Sequence, residues 1–78
     1  MYEVRKATKF SRRRFGAAVR DVRQKLNISQ EDFAEKANVH RTYISSIELG
    51  KVSVGIEVAN ELASALGLRL SELIRLAE

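Results

Sequence analysis

Residues that tolerate a left-handed backbone recur at Asn27, Asn38, Gly50 and Gly67 in a chain with no proline. Each follows a stretch whose apolar residues fall at helical spacing. After Asn27, Asn38 and Gly67 comes an apolar residue, Ile28, Val39 or Leu68, suited to the hydrophobic contact that closes a helix end. A chain punctuated in this way is a succession of short helices. Plentiful Ala, Leu, Glu, Arg and Lys point in the same direction, because these side chains lose little freedom in a helix. The expected class is therefore all-α, with five helical segments.

The first segment opens at Ser11, a capping residue, and places Phe15, Val19, Val22 and Leu26 on one stripe with Ala18 beside it. Arg12, Arg13, Arg20 and Arg23 are assigned to its basic outer face. Arg12 to Arg14 would sit at the positive end of the helix dipole, so either the helix starts later or these arginines answer to something outside the fold. Ser29 and Asp32 form an approximate capping box for the second segment, whose apolar face is Phe33, Ala34 and Ala37. The third runs from about Arg41 to Leu49 with Ile44 and Ile47 inward. The fourth spans about Gly55 to Leu66, with Ile56, Ala59, Leu62, Ala63 and Leu66 facing the core. Ser71 is the expected cap of the last, whose Leu73, Ile74 and Leu76 spread beyond one narrow stripe: they divide between core packing and, for at least one of them, contact with another subunit.

Composition removes most chemistry. The 78 residues suit one domain, read as a basic arm over residues 1–10 and a helical domain over residues 11–78. Without cysteine there is no disulfide, thiolate metal site or thiol nucleophile, and a lone histidine, His40, makes a multi-histidine metal site equally unsuited. Neither a Gly-rich phosphate loop nor a Ser/His/Asp arrangement is present, so neither catalysis nor a cofactor is expected. No apolar run reaches the ~18 residues of a membrane span, and no signal-peptide pattern opens the chain, which makes the expected location cytoplasmic.

Charge is unevenly spread. The formal net charge is +4, yet nine basic residues (Arg5, Lys6, Lys9, Arg12, Arg13, Arg14, Arg20, Arg23, Lys25) precede residue 26 against only Glu3 and Asp21. Such a gradient is suited to a polyanion. A membrane-surface use is the weaker option, because the apolar stripe beside these cations reads as core.

From Ile28 to Lys51 the chain supplies a helix, a tight turn at Asn38 and a second helix, with Ala34 small where the two must touch and Val39, Ile44 and Ile47 as anchors. The ordered set Ser29-Gln30, Ala34, Val39, Ile44-Ser45, Ile47-Glu48 and Gly50-Lys51 resembles the phage-repressor and Cro type (XRE-like) helix-turn-helix regulators over roughly residues 13–76. The run Arg41-Thr-Tyr-Ile-Ser45 resembles the recognition-helix opening of restriction-modification controller proteins. This resemblance implies a five-helix, lambda-repressor-like DNA-binding domain with its helix-turn-helix at helices 2 and 3. Val54-Gly55 and Asn60 depart from the family pattern, which often has a proline or capping serine and an apolar residue there.

The resemblance also assigns roles. The third helix would enter the major groove with Arg41, Thr42, Tyr43, Ser45 and Ser46, while Gln30 and Lys51 would meet the phosphate backbone. Separately from the resemblance, the charge of Arg12 to Arg14, with Lys9, suits either a solvated surface or an arm that tracks phosphates or the minor groove. The chemistry of the third helix's side chains is compatible: a guanidinium fork, a hydroxyl with a methyl and small serines are all usable at a base edge. Each has a plainer alternative. Arg41 could be a solvated helix-end cation, Thr42 and Ser45 could bond local backbone, and Tyr43 divides between groove contact and partial core packing. Glu48 is assigned to an internal ion pair or cap, since a carboxylate facing phosphate would be repelled. The expected function is a homodimeric, sequence-specific regulator on double-stranded DNA with an inverted-repeat operator, joined through Leu73, Ile74 and Leu76. The alternative is a protein-interaction module such as the antitoxin of a toxin-antitoxin pair.

Overall fold

The computed structural model describes residues 10–78, which form α1 (Arg12–Lys25), α2 (Gln30–Ala37), α3 (Arg41–Glu48), α4 (Ile56–Ala65) and α5 (Leu70–Leu76). The basic arm assigned to residues 1–10 lies outside the described residues except for Phe10. The left-handed positions close the helices as expected. Asn27, Asn38, Gly50 and Gly67 all have positive φ, at 57°, 59°, 71° and 75°. At each, the next residue's N–H reaches back across the last turn: Ile28 to Arg23 O, Val39 to Ala34 O, Lys51 to Ser46 O and Leu68 to Ala63 O. The same closure is thus used after α1, α2, α3 and α4.

At the helix starts, Ser11 Oγ accepts from Arg14 N at 3.2 Å and Ser29 Oγ accepts from Asp32 N at 3.0 Å. α1 therefore begins at Arg12, and its arginines do occupy the positive end of the dipole. The last helix starts earlier than the sequence suggests. Its N-cap is Arg69, not Ser71, and the Glu72 carboxylate accepts from Arg69 N at 2.8 Å. An arginine side chain has no acceptor to complete a capping box, so the carboxylate alone supplies this bond. Gly55 caps α4 without a side-chain bond.

Phe33, Ile44, Ile47, Leu62, Leu73 and Val19 are the largest fully buried side chains, worth about 1.5–3 kcal/mol each for the larger aliphatic and aromatic ones. They come from all five helices. α3 lies against both α1 and α2, α2 also meets α4, and α5 closes the bundle against α1 and α4. Three apolar assignments change. Leu26 is exposed because α1 ends at Lys25, so the chain turns away before this residue can pack. Ile56 is 74% exposed, since the first residue of α4 projects outside the bundle. Leu73 is fully buried within its own domain, so it is a core residue rather than a surface for a partner.

Gly16 sets how closely α1 approaches α3. A Cβ there would stand 2.0 Å from the backbone carbonyl oxygen of Ile47, a contact that only separation of the helices would relieve. Gly50 has a related constraint: besides its positive φ, a Cβ would meet Arg13 Cα at 2.8 Å. Alanine is intrinsically better than glycine in a helix by about 1 kcal/mol, so Gly16→Ala separates propensity from packing. The expected result is net destabilisation by about 2 kcal/mol or more, read from urea denaturation; an unchanged or raised midpoint would show that α1 and α3 are not in this contact.

Candidate nucleic-acid interface

The α3 sequence divides into two faces. Ile44, Ile47 and Glu48 are buried, and the opposite side presents exposed Arg41 and Thr42, half-buried Ser45 one turn later and exposed Leu49 at the far end. Tyr43 and Ser46 are also half-buried, with the Tyr43 ring packed against the core. Of the two roles left open for Tyr43, partial core packing is thus occupied in the free chain. α3 starts without a side-chain cap, because His40 makes no capping bond. His40, Arg41 and Thr42 at this end are all exposed, and Tyr43 N donates to His40 O at 3.0 Å.

α3 is held by more than apolar contact. Arg23 Nε donates to Glu48 Oε2 at 2.6 Å and Arg23 Nη2 donates to Glu48 Oε1 at 3.0 Å, a two-pronged bridge from α1 to α3. A third arginine nitrogen, Nη1, donates to Ile28 O at 2.8 Å, fixing the entry to α2. The side chains are 11% and 3% exposed, respectively. Hydrogen bonding to the Glu48 carboxylate raises the Arg23 pKa, against desolvation, which lowers it, and with the carboxylate's charge adding to the rise. The guanidinium therefore remains charged.

Glu48 has the internal ion-pair role expected of it, but Arg23 does not lie on the outer face. It stands one turn after buried Val19 and two turns after buried Phe15, so its long stem follows the inner stripe. A charge of each sign, placed on the inner stripes of neighbouring helices, was the available signal for this contact. Gln30, the first residue of α2, joins the same group: its Nε2 donates to Glu48 Oε1 at 3.1 Å.

The remaining assigned residues are distributed around the fold. Lys51 is exposed immediately after the Gly50 turn, beyond the end of α3. Arg14 is exposed at the start of α1 and donates through Nη1 to Glu78 O at 3.3 Å, toward the end of α5 rather than α3. Leu76 is 59% exposed and Ile74 is half-buried on α5. Among the described residues, no group of three or more His, Asp or Glu side chains is arranged to hold a metal. No described helix is long and apolar enough to cross a membrane.

The helix-turn-helix family model matches residues 19–73, spanning α2, the turn, α3 and α4 in full. The chain belongs to this family. It is thus a helix-turn-helix protein of the DNA-binding, transcription-regulating XRE type, and the resemblance read from its sequence is met. The helix-turn-helix chain is 43% identical over 61 residues to the control protein C.MunI of a Mycoplasma species, covering 77% of this chain and 82% of that one. It is 41% identical over 61 residues to the control protein C.BamHI of Bacillus amyloliquefaciens, covering 77% and 75%. Among solved structures, the restriction-modification controller protein C.AhdI of Aeromonas hydrophila is similar with a TM-score of 0.77 and 31% identity, over 80% of this chain and 94% of that one.

The buried pair has a measurable consequence. Glu48→Ala leaves the Arg23 guanidinium without its counter-charge and is expected to cost about 3–5 kcal/mol, seen in chemical denaturation. Replacing both by methionine should recover most of that loss, because no unpaired charge remains. Equal destabilisation by the single and double replacements would contradict the assignment.

Proposed function

We propose that this helix-turn-helix chain is a homodimeric, sequence-specific regulator that binds double-stranded DNA at an inverted-repeat operator, with controller proteins of restriction-modification systems as its functional model. The observation that carries the reading is the outward stripe of Arg41, Thr42 and Ser45 on a helix whose opposite face is pinned by Ile44, Ile47 and Glu48. Such a helix can enter a major groove without rearranging the core. Arg41, Thr42, Ser45 and Ser46 would read base edges, with Tyr43 at the margin, while Gln30 and Lys51 would contact phosphates. Arg14 would add a phosphate contact at the start of α1. The names of the relatives, control and controller proteins, support the regulatory part of the reading. It places the protein in the cytoplasm, with the DNA.

The homodimer rests on apolar surface that the single chain leaves uncovered. Half-buried Ile74 stands with exposed Ile56 and Phe10 around an apolar cavity of about 250 Å³, lined also by Val54 and Leu70, whereas exposed Leu76 lies with Leu68 on another side of α5. The apolar group around the cavity favours association with a second copy. Two recognition helices would then address half-sites one helical turn, about 34 Å, apart.

Selection of bound duplexes from a random pool, with the mass of the complex determined at moderate salt, tests the reading. An enriched inverted repeat carrying two chains, or a multiple of two, supports it; salt-sensitive binding without enrichment would favour a protein-interaction module. On the selected duplex, Arg41→Ala should cost about 1–3 kcal/mol and relax sequence preference. Lys51→Ala should instead weaken binding to selected and random duplexes alike and reduce the salt slope by about one. Identical behaviour of the two variants would contradict this division of roles.

A further inference from the structure

We propose that Glu48 is a positioning residue for the DNA contact, acting through Gln30. The inference rests on the DNA-binding reading and adds a residue that itself touches no nucleic acid. Glu48 Oε1 accepts from both Arg23 Nη2 and Gln30 Nε2, at 3.0 and 3.1 Å, while Oε2 is taken by Arg23 Nε. The carboxylate is buried and its charge is balanced by the guanidinium, so it acts at the base of α2 as a fixed, neutralised acceptor.

The chemistry of a carboxamide gives this arrangement direction. A carboxylate and a phosphate oxygen both only accept, and a carboxamide can bridge them only through its nitrogen, which carries two donors. With one Nε2–H directed to Glu48, the other remains for a phosphate, and the carbonyl end is kept out of the place where a phosphate would be repelled. A freely rotating Gln30 would present either end and would lose side-chain freedom on binding. Holding the side chain before DNA arrives removes part of that loss. The ion pair could hold α1 to α3 without Gln30, so the third hydrogen bond is the feature that links core to interface.

The test is a mutant cycle read by affinity for the duplex enriched from the random pool. The combined Arg23→Met and Glu48→Met variant retains an apolar contact between α1 and α3 and removes the acceptor for Gln30. It is measured with Gln30 present and with Gln30→Ala, alongside the unmodified chain and Gln30→Ala alone, with urea denaturation verifying that each is folded. The expected result is an affinity loss about three- to tenfold larger with Gln30 present than in the Gln30→Ala background, the loss common to both reporting the placement of α3. Equal losses in the two backgrounds, or no loss in either, would overturn the positioning role while leaving DNA binding intact.

Should the methionine pair fail to fold, the side-chain amide signals of the unmodified chain supply the readout. One Gln30 Nε2 proton is expected to exchange with solvent more slowly than those of exposed Gln24; equal exchange at the two side chains would overturn the proposal. Failure of the unmodified chain to bind any duplex would overturn the DNA reading and the positioning role together.

Discussion

The buried bridge between Arg23 and Glu48 is the interaction on which the placement of α3 depends. Apolar packing by Ile44 and Ile47 makes α3 adhere to the core, but apolar contact is nondirectional and tolerates sliding. A two-pronged guanidinium–carboxylate contact has a narrow geometry, and in a buried setting its absence leaves charge without solvent or partner. Gly16 supplies the matching steric condition, because its missing Cβ lets α1 lie on the Ile47 carbonyl and brings Arg23 within reach of Glu48. The same guanidinium bonds Ile28 O, so the loop leading into α2 is fixed by the side chain that fixes α3.

From this constraint follows the division between inner and outer α3. With the inner face occupied, Arg41, Thr42 and Ser45 need contribute little to the core, and the helix can carry polar groups outward without unsatisfied buried atoms. That partition is what a recognition helix requires: a rigid backbone with side chains available for another molecule. Leu49 is exposed at the far end of α3, but exposed Ile56 and half-buried Ile74 belong to α4 and α5, so the surface suited to a second copy is carried by other helices than the one that presents Arg41 and Thr42.

Much of this was legible in local sequence. Asn27, Asn38, Gly50 and Gly67 mark helix ends because left-handed closure is a property of a few residues and needs no knowledge of the remaining chain. Ser11 and Ser29 mark starts for the same reason. The turn between α2 and α3 and the outward position of Arg41 and Thr42 followed from these boundaries. The errors concern relations between helices. Arg23 looked solvent-facing because periodicity treats a charge as a surface marker, whereas a partner charge on α3 makes burial favourable. Leu73 and Ile56 were misplaced because their exposure depends on where α5 and α4 lie against the bundle. Gly16 gave no local signal, since its role is defined by a carbonyl two helices further along the chain.

On the proposed function, the face of α3 opposite the Arg23–Glu48 bridge is the surface that meets DNA. Amide chemical-shift changes in the ¹⁵N-labelled chain, mapped as its selected duplex is added, report that surface residue by residue. The largest changes are expected at Gln30, from Arg41 to Ser46 and at Lys51, with the amides of α4 little affected. Changes centred on α4 and α5, with α3 unaltered, would contradict the proposed function.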